Sequence, residues 1–332
     1  MVKIGNECSE NTNVCFGVPQ GSVLGPVLFT LYMKPLSNII YEHNLNFHMY
    51  ADDTQLYQSA DSEEVPSLIQ SVENCLIRIK TWMDANKLKL NDSKTEVMLC
   101  SNSWSNKDLP DQITMNVNGH SVTSSKVIKN LGVRFDEDLS MTSQISFLCK
   151  SIGLQLRKIG SVRKFLTKQV TTKLVTSLVL SRLDYCNSLL VGIPSGKIRK
   201  LQILQNNAAR LITRQRKSTH ITPILKELHW LPVNKRIVYK ISVTCFNCLH
   251  NRAPHYLQTL LKIYTPRRTL RSSEENTILE LPKMHYKTYG ERSFYFAAPF
   301  IWNSLPKHVR HSSSIELFKK NLKTHLFTLA FS

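Results

Sequence analysis

Two adjacent carboxylates, Asp52 and Asp53, close the run His48-Met49-Tyr50-Ala51-Asp52-Asp53. Like charges side by side repel, and burying them without a cation is costly. A divalent ion relieves that repulsion: Mg2+ takes oxygen ligands and often shares them with a substrate phosphate. A pair of such ions can activate a 3′-hydroxyl and stabilise a leaving pyrophosphate. The plain alternative is an Asp-Asp turn on the surface, because Asp is common in turns. Just upstream, Gly17-Val18-Pro19-Gln20-Gly21-Ser22-Val23-Leu24-Gly25-Pro26 sets glycines around a proline and a glutamine. Glycines there let a backbone approach a flat ligand. A following helix N-terminus offers free N–H groups and a dipole to phosphate. An ordinary helix-leading loop is the alternative.

The elements that must position these residues follow from periodicity. Val23 to Tyr32 is a short apolar helix candidate. Asn46 to Tyr57 alternates as a hairpin should, with its turn at the paired aspartates. Ser62 to Asn86 is the clearest helix, with Leu68, Ile69, Val72, Cys75, Leu76, Ile79, Trp82 and Met83 on one stripe. Lys94 to Ser101 reads as a strand. Ile113, Met115 and Val117 alternate into Asn118-Gly119, a type I′ turn signal. Leu131 to Phe135 reads as another short strand. From Met141 the period becomes helical through about Leu261, 265–275 reads as a linker, and the remainder as a small tail of mixed character.

Composition bounds the partners. The chain has 332 residues, 42% of them hydrophobic, with 43 Lys and Arg against 24 Asp and Glu, a net charge of +19. Such an excess favours polyanions, nucleic acid being the commonest; a ribosomal or membrane-surface protein is the alternative. No apolar run reaches the ~20 residues of a membrane span. The N-terminus lacks the apolar core of a signal peptide. Eight scattered cysteines fit a reducing compartment, so an intracellular site, nucleus or cytoplasm, is expected.

Taken together, GVPQGSVLGPVLF and YADDTQLY resemble the reverse transcriptase family, in the wording of non-LTR elements of the long interspersed kind. Gly17 to Tyr32 looks like motif B and Tyr50 to Asp53 like the YxDD of motif C. Leu88-Lys89-Leu90-Asn91 with Ser93-Lys94-Thr95-Glu96 is similar to motif D. Asn130-Leu131-Gly132-Val133 is similar to motif E, the primer grip. Leu183-Asp184-Tyr185, Leu204-Gln205-Asn206-Asn207-Ala208-Ala209-Arg210 and Trp302-Asn303-Ser304-Leu305-Pro306 resemble the C-terminal part of such elements. The resemblance implies RNA-directed DNA synthesis with two Mg2+ ions, an RNA template, a DNA primer and deoxynucleoside triphosphates. Asp52 would bind metal with Asp53 assisting, and Tyr50 and Ala51 would lie by the primer end. Gln20 would touch the incoming nucleotide or template base, with Pro19 and Gly21 shaping its loop. Lys94 would donate a proton to pyrophosphate, or else be a solvated lysine.

The family also needs a motif A carboxylate upstream of motif B, and Met1 to Phe16 holds Glu7 and Glu10 but no Asp. The chain therefore reads as a truncated or degraded copy, inactive by itself, with the missing N-terminal half of the element's protein as an expected partner. A catalytically silent nucleic-acid-binding remnant is the alternative. No catalytic set of the element's usual endonuclease is visible.

In Gly196 to Lys217, the cations Lys197, Arg199, Lys200, Arg210, Arg214, Arg216 and Lys217 surround an apolar stripe, which suits phosphate contact. A solvated helix face is the alternative. Cys245 and Cys248 have a CxxC spacing but no second pair, so core cysteines are expected rather than zinc ligands. Phe294, Phe296, Phe300 and Trp302 lie beside Arg292 and read as a small hydrophobic core, with stacking on bases as the alternative. The expected fold is α+β. A partial reverse transcriptase palm, with a split βαβ-like antiparallel sheet, spans 1–138. An all-α thumb spans 139–264, and a linker with a C-terminal region spans 265–332.

Overall fold

The computed structural model describes residues 3–10, 21–101, 110–265, 277–284 and 289–332. Helices and short antiparallel strands alternate in an α+β chain, which divides into two compact units, Met1–Lys126 and Val127–Ser332.

In the first unit, two-residue strands β1 (Lys3–Ile4) and β2 (Glu7–Cys8) precede α1 (Gly25–Glu42). Ser22 Oγ accepts the Gly25 N–H at 3.0 Å, and Pro26 occupies a first-turn position where its missing donor is harmless. The sequence reading stopped this helix at Tyr32. It continues because Met33, Leu36 and Ile40 carry on a buried stripe, Pro35 notwithstanding. The hairpin β3 (Asn46–Tyr50) and β4 (Asp53–Tyr57) comes next, then α2 (Val65–Ala85). An Asp61–Glu64 capping box forms just before α2, in the 62–64 turn. Met33, Leu36, Ile40, Leu45, Cys75, Ile79 and Met83 form one core, with Phe47, Met49 and Leu56 of the hairpin packed against it. A two-stranded hairpin is marginal alone and needs such a helical backing.

The expected strand at 94–101 is absent. Asp92–Lys94 is a 3-10 turn, in which Ser93 Oγ donates to Asn91 Oδ1 at 2.7 Å. Beyond it, Ser125 N–H donates to the Val97 carbonyl at 2.8 Å, but no ladder forms there among the described residues. β5 (Thr114–Val117) and β6 (His120–Thr123) make the expected hairpin, with Asn118 and Gly119 both left-handed at φ 56° and 92°, as a type I′ turn requires.

The second unit opens with a hairpin of β7 (Val127–Asn130) and β8 (Val133–Asp136). Sequence reading found only its second arm, because the turn residues are Leu131 (φ 46°) and Gly132 (φ 83°) and leucine is no turn signal. Helices follow: α3 (Thr142–Val162), α4 (Lys168–Val175), α5 (Ser181–Asp184), α6 (Ser195–Thr213), α7 (Ile221–Glu227), α8 (Val233–Leu249), α9 (His255–Gln258), α10 (Phe294–Ser304), α11 (Lys307–Arg310) and α12 (Ile315–Phe331). A π-helical turn, Thr176–Leu180, joins α4 to α5.

The C-terminal segment is no separate tail. Phe246 of α8 stacks on Phe318 of α12 at 4.4 Å, and Trp302 of α10 completes the cluster, so α8, α10 and α12 share one core. Most of the 265–275 linker lies outside the described residues. The strands also depart from the expected split βαβ sheet. Among the described residues they form four separate two-stranded ribbons, because no further strand lies along the outer edge of any of them.

Candidate active site and nucleic-acid interface

The β3–β4 register pairs Phe47 with Leu56, Met49 with Thr54 and Tyr50 with Asp53. Alternation therefore turns Phe47, Met49 and Leu56 to the core and leaves the carboxylate turn outside. Ala51 sits at the tip with φ 53°, a conformation an L-residue adopts at a cost. The strained residue thus lies immediately before the aspartates. Asp52, Asp53 and Tyr50 are all exposed, so burial repulsion, which the sequence argument invoked, does not operate here. Behind the turn, the His48 and Tyr57 rings stack at 5.4 Å and the Tyr57 hydroxyl lies 3.3 Å from His48 Nε2.

Two adjacent exposed carboxylates present the hard oxygen donors that Mg2+ prefers, with water and phosphate oxygens completing its shell. They do not make a preformed cage: among the described residues no group of three His, Cys, Asp or Glu side chains is placed to hold an ion. Pro19 and Gln20 lie outside the described residues, as do Gly17 and Val18. Gly21 is left-handed at φ 88°, a conformation glycine adopts freely. Lys94 is exposed in its 3-10 turn, and among the described residues no ion pair joins it to Asp52 or Asp53.

The positive charge is concentrated elsewhere. Val127–Ser332 holds 34 of the 43 Lys and Arg but 10 of the 24 Asp and Glu, so it carries +24 while Met1–Lys126 carries −5. The five cations singled out on α6 and its C-cap divide in two. Arg199 and Lys200 are exposed. Lys197 Nζ instead donates to Thr142 Oγ1 at 2.6 Å and to the Ser140 carbonyl, and Arg210 donates to the Thr219 carbonyl, while Arg214, exposed as well, also reaches the carbonyls of Arg163 and Leu166. Sequence reasoning missed Arg163. It is 8% exposed, and its guanidinium donates to the carbonyls of Leu211, Ile212 and Leu166 at 2.7–2.8 Å, closing the C-terminal end of α6. No local pattern marks it, since its two acceptors on α6 lie 48 and 49 residues away.

The motifs beyond 138 are packing devices. Asp184 takes a bidentate grip from Arg236 at 2.8 and 2.5 Å, and the Tyr185 hydroxyl donates to the Leu131 carbonyl at 2.6 Å. Gln205, fully buried, donates to the Leu231 carbonyl, and Ala208 and Ala209 bring helices close. Trp302 Nε1 donates to the Thr277 carbonyl, and Asn303 clasps the Leu279 backbone with both its amide oxygen and its nitrogen. Cys245 and Cys248 face the core, and burial pushes both thiols up, Cys245 further, away from the thiolate that zinc needs. Among the described residues no helix is long and apolar enough to cross a membrane.

The sequence profile of the reverse transcriptase (RNA-dependent DNA polymerase) family matches residues 1–135. The RNA-directed DNA polymerase from mobile element jockey of Drosophila funebris is 23% identical over 205 residues, covering 59% of this chain and 22% of that protein. The jockey polymerase of Drosophila melanogaster is 21% identical over 208 residues, covering 60% of this chain and 22% of its own length. The probable RNA-directed DNA polymerase from transposon X-element of Drosophila melanogaster is 23% identical over 217 residues, covering 64% and 23%. The chain thus spans less than a quarter of the length of these curated relatives. No solved structure matches.

Proposed function

We propose that the chain belongs to the reverse transcriptase family of non-LTR retrotransposons, whose profile matches residues 1–135, and that it serves RNA-directed DNA synthesis, binding template and primer but not extending the primer by itself. The observation that carries this reading is the exposed Tyr50-Ala51-Asp52-Asp53 turn on a core-backed hairpin, inside the family match. Asp52 and Asp53 would hold Mg2+, with Tyr50 and Ala51 at the primer end. Bound there, the ion would supply positive charge at the phosphoryl oxygens. Pro19, Gln20 and Gly21 would shape the side where the incoming nucleotide pairs, and Lys94 would give a proton to the leaving pyrophosphate. The family's pattern has a third carboxylate, from motif A, and synthesis would need it beside Asp52 and Asp53. In this reading 1–138 acts as palm, 139–264 as a basic thumb and 265–332 as its C-terminal support. The partners are an RNA template, a DNA primer and deoxynucleoside triphosphates, met in nucleus or cytoplasm.

A second reading, a non-catalytic nucleic-acid binder, is favoured by the partition of charge, +24 against −5. Both readings expect binding that releases counterions. For the purified chain on an RNA–DNA duplex, log K against log salt is expected to fall with a slope steeper than about −4, since each phosphate contact contributes about −0.9. A slope near zero would remove nucleic acid as the partner under either reading.

A further inference from the structure

At one end of the second unit, the turn 163–166 that follows α3 is locked to the end of α6. The Arg163 guanidinium reaches the Leu211 and Ile212 carbonyls, while Arg214 reaches back to the carbonyls of Arg163 and Leu166. These bonds cross between the two segments in both directions, so the turn is built rather than loose. It presents Phe165 outward, 76% exposed, although core space is available to other aromatics of this unit. Lys164 Nζ lies 4.8 Å from the Phe165 ring centroid. Arg214, which makes the return contacts, is itself exposed, and Arg216 and Lys217 follow it, exposed as well. Val162 and Val170, near Phe165 in sequence, are 44% and 43% exposed. The neighbouring Lys168 is already paired with Glu227 at 2.5 Å, so that carboxylate is engaged.

A protruding ring beside Lys164, on a turn that Arg214 contacts, suits a ligand with both a flat π-face and negative charge. A base offers the face and its flanking phosphates the charge, but only when the base is unpaired, because a paired base is already stacked inside its helix. We propose that the tip formed by Lys164, Phe165, Arg214, Arg216 and Lys217 is a binding site for unpaired nucleotides of single-stranded RNA. Phe165 stacks on a base, and the cations contact the phosphates on either side. The proposal deepens the nucleic-acid reading above and rests on it. It adds a site for unwound template apart from the carboxylate turn, on helices that the polymerase motifs do not include. An anionic membrane is the other surface that a basic, aromatic tip can meet. The charge of +24 spread through the unit favours RNA.

The test uses the full chain, without Mg2+ or nucleotides, and three probes: a 12-residue oligouridine RNA, a blunt RNA–DNA duplex, and phosphatidylserine vesicles. Phe165→Ala is expected to weaken oligouridine binding by about 5- to 150-fold, the range seen for one stacked base, and to leave duplex binding within about twofold. Phe165→Trp is expected to restore it and to show fluorescence quenching when oligouridine is added. An unchanged melting temperature for each variant shows that the fold is intact. Three results overturn the proposal: Phe165→Ala leaves oligouridine binding unchanged, weakens oligouridine and duplex alike, or abolishes vesicle binding alone. If the duplex is bound and Phe165→Ala changes nothing, the proposal fails while the nucleic-acid reading stands. If neither RNA nor duplex is bound, both fail.

Discussion

Arg163→Ala is expected to lower the unfolding free energy by about 3–5 kcal/mol, in the range for losing two or three charge-assisted hydrogen bonds. The guanidinium is almost wholly buried and satisfies three carbonyls, two of them at the frayed end of α6. Its loss leaves those acceptors without a donor where water has poor access, and each hydrogen bond to a charged group is worth about 1.5–3 kcal/mol. For a unit of this size the melting temperature should fall on the order of 10 °C. Arg163→Lys is expected to recover only a small part, because an ammonium lacks the guanidinium's planar fork of donors that reaches all three carbonyls. Denaturant unfolding followed by circular dichroism measures both variants. A loss below about 1 kcal/mol for the alanine variant would mean that the α6 end finds its partners elsewhere. The same substitution frees the turn that carries Phe165, so a functional effect should accompany the structural one.

Trp302→Ala is expected to cost about 3–5 kcal/mol, the range for deleting a buried aromatic. Trp302 is 1% exposed, lies 5.7 Å from Phe318 and 6.5 Å from Phe246 between ring centroids, and donates from Nε1 to the Thr277 carbonyl at 2.6 Å. Trp302→Phe separates the two contributions. It keeps most of the ring contact but leaves the carbonyl unpaired, and should cost about 1–3 kcal/mol. Equal losses for the two substitutions would mean that the hydrogen bond outweighs the packing. A loss under about 1 kcal/mol for alanine would mean that α10 is not part of the α8–α12 core.

How far the sequence could be read varied with the range of the forces involved. The carboxylate hairpin was legible because strand alternation and the acidic turn are local, and so were α2 and the Asn118-Gly119 turn. The strand at 94–101 was misjudged because Val97, Met98 and Leu99 have strand composition, while a ladder needs a partner that composition does not disclose. The β7–β8 hairpin was half seen because its turn uses Leu131. Charge was the least transparent property. Lys197 and Arg210 belong to a basic run, yet their side chains are spent on carbonyls of Ser140 and Thr219, whereas Arg163 stood out in no pattern and closes a helix. A cation's neighbours across the fold decide whether it remains open to phosphate. The motifs Leu183-Asp184-Tyr185 and Trp302-Asn303-Ser304 were recognised from resemblance alone. Their physical content, a bidentate Arg236–Asp184 pair and a clasped Leu279 backbone, became visible only in three dimensions.

On the proposed reading, Asp52 and Asp53 form part of a polymerase site that needs a third carboxylate beside them. The direct measurement is primer extension on an RNA template with Mg2+ and all four deoxynucleoside triphosphates, using a chain shown to bind the template–primer. The expected result is extension no greater than that of an Asp52→Ala, Asp53→Ala variant that binds equally well. Mg2+-dependent extension by the unaltered chain, abolished by Asp52→Ala, would contradict it and show that these residues suffice for catalysis.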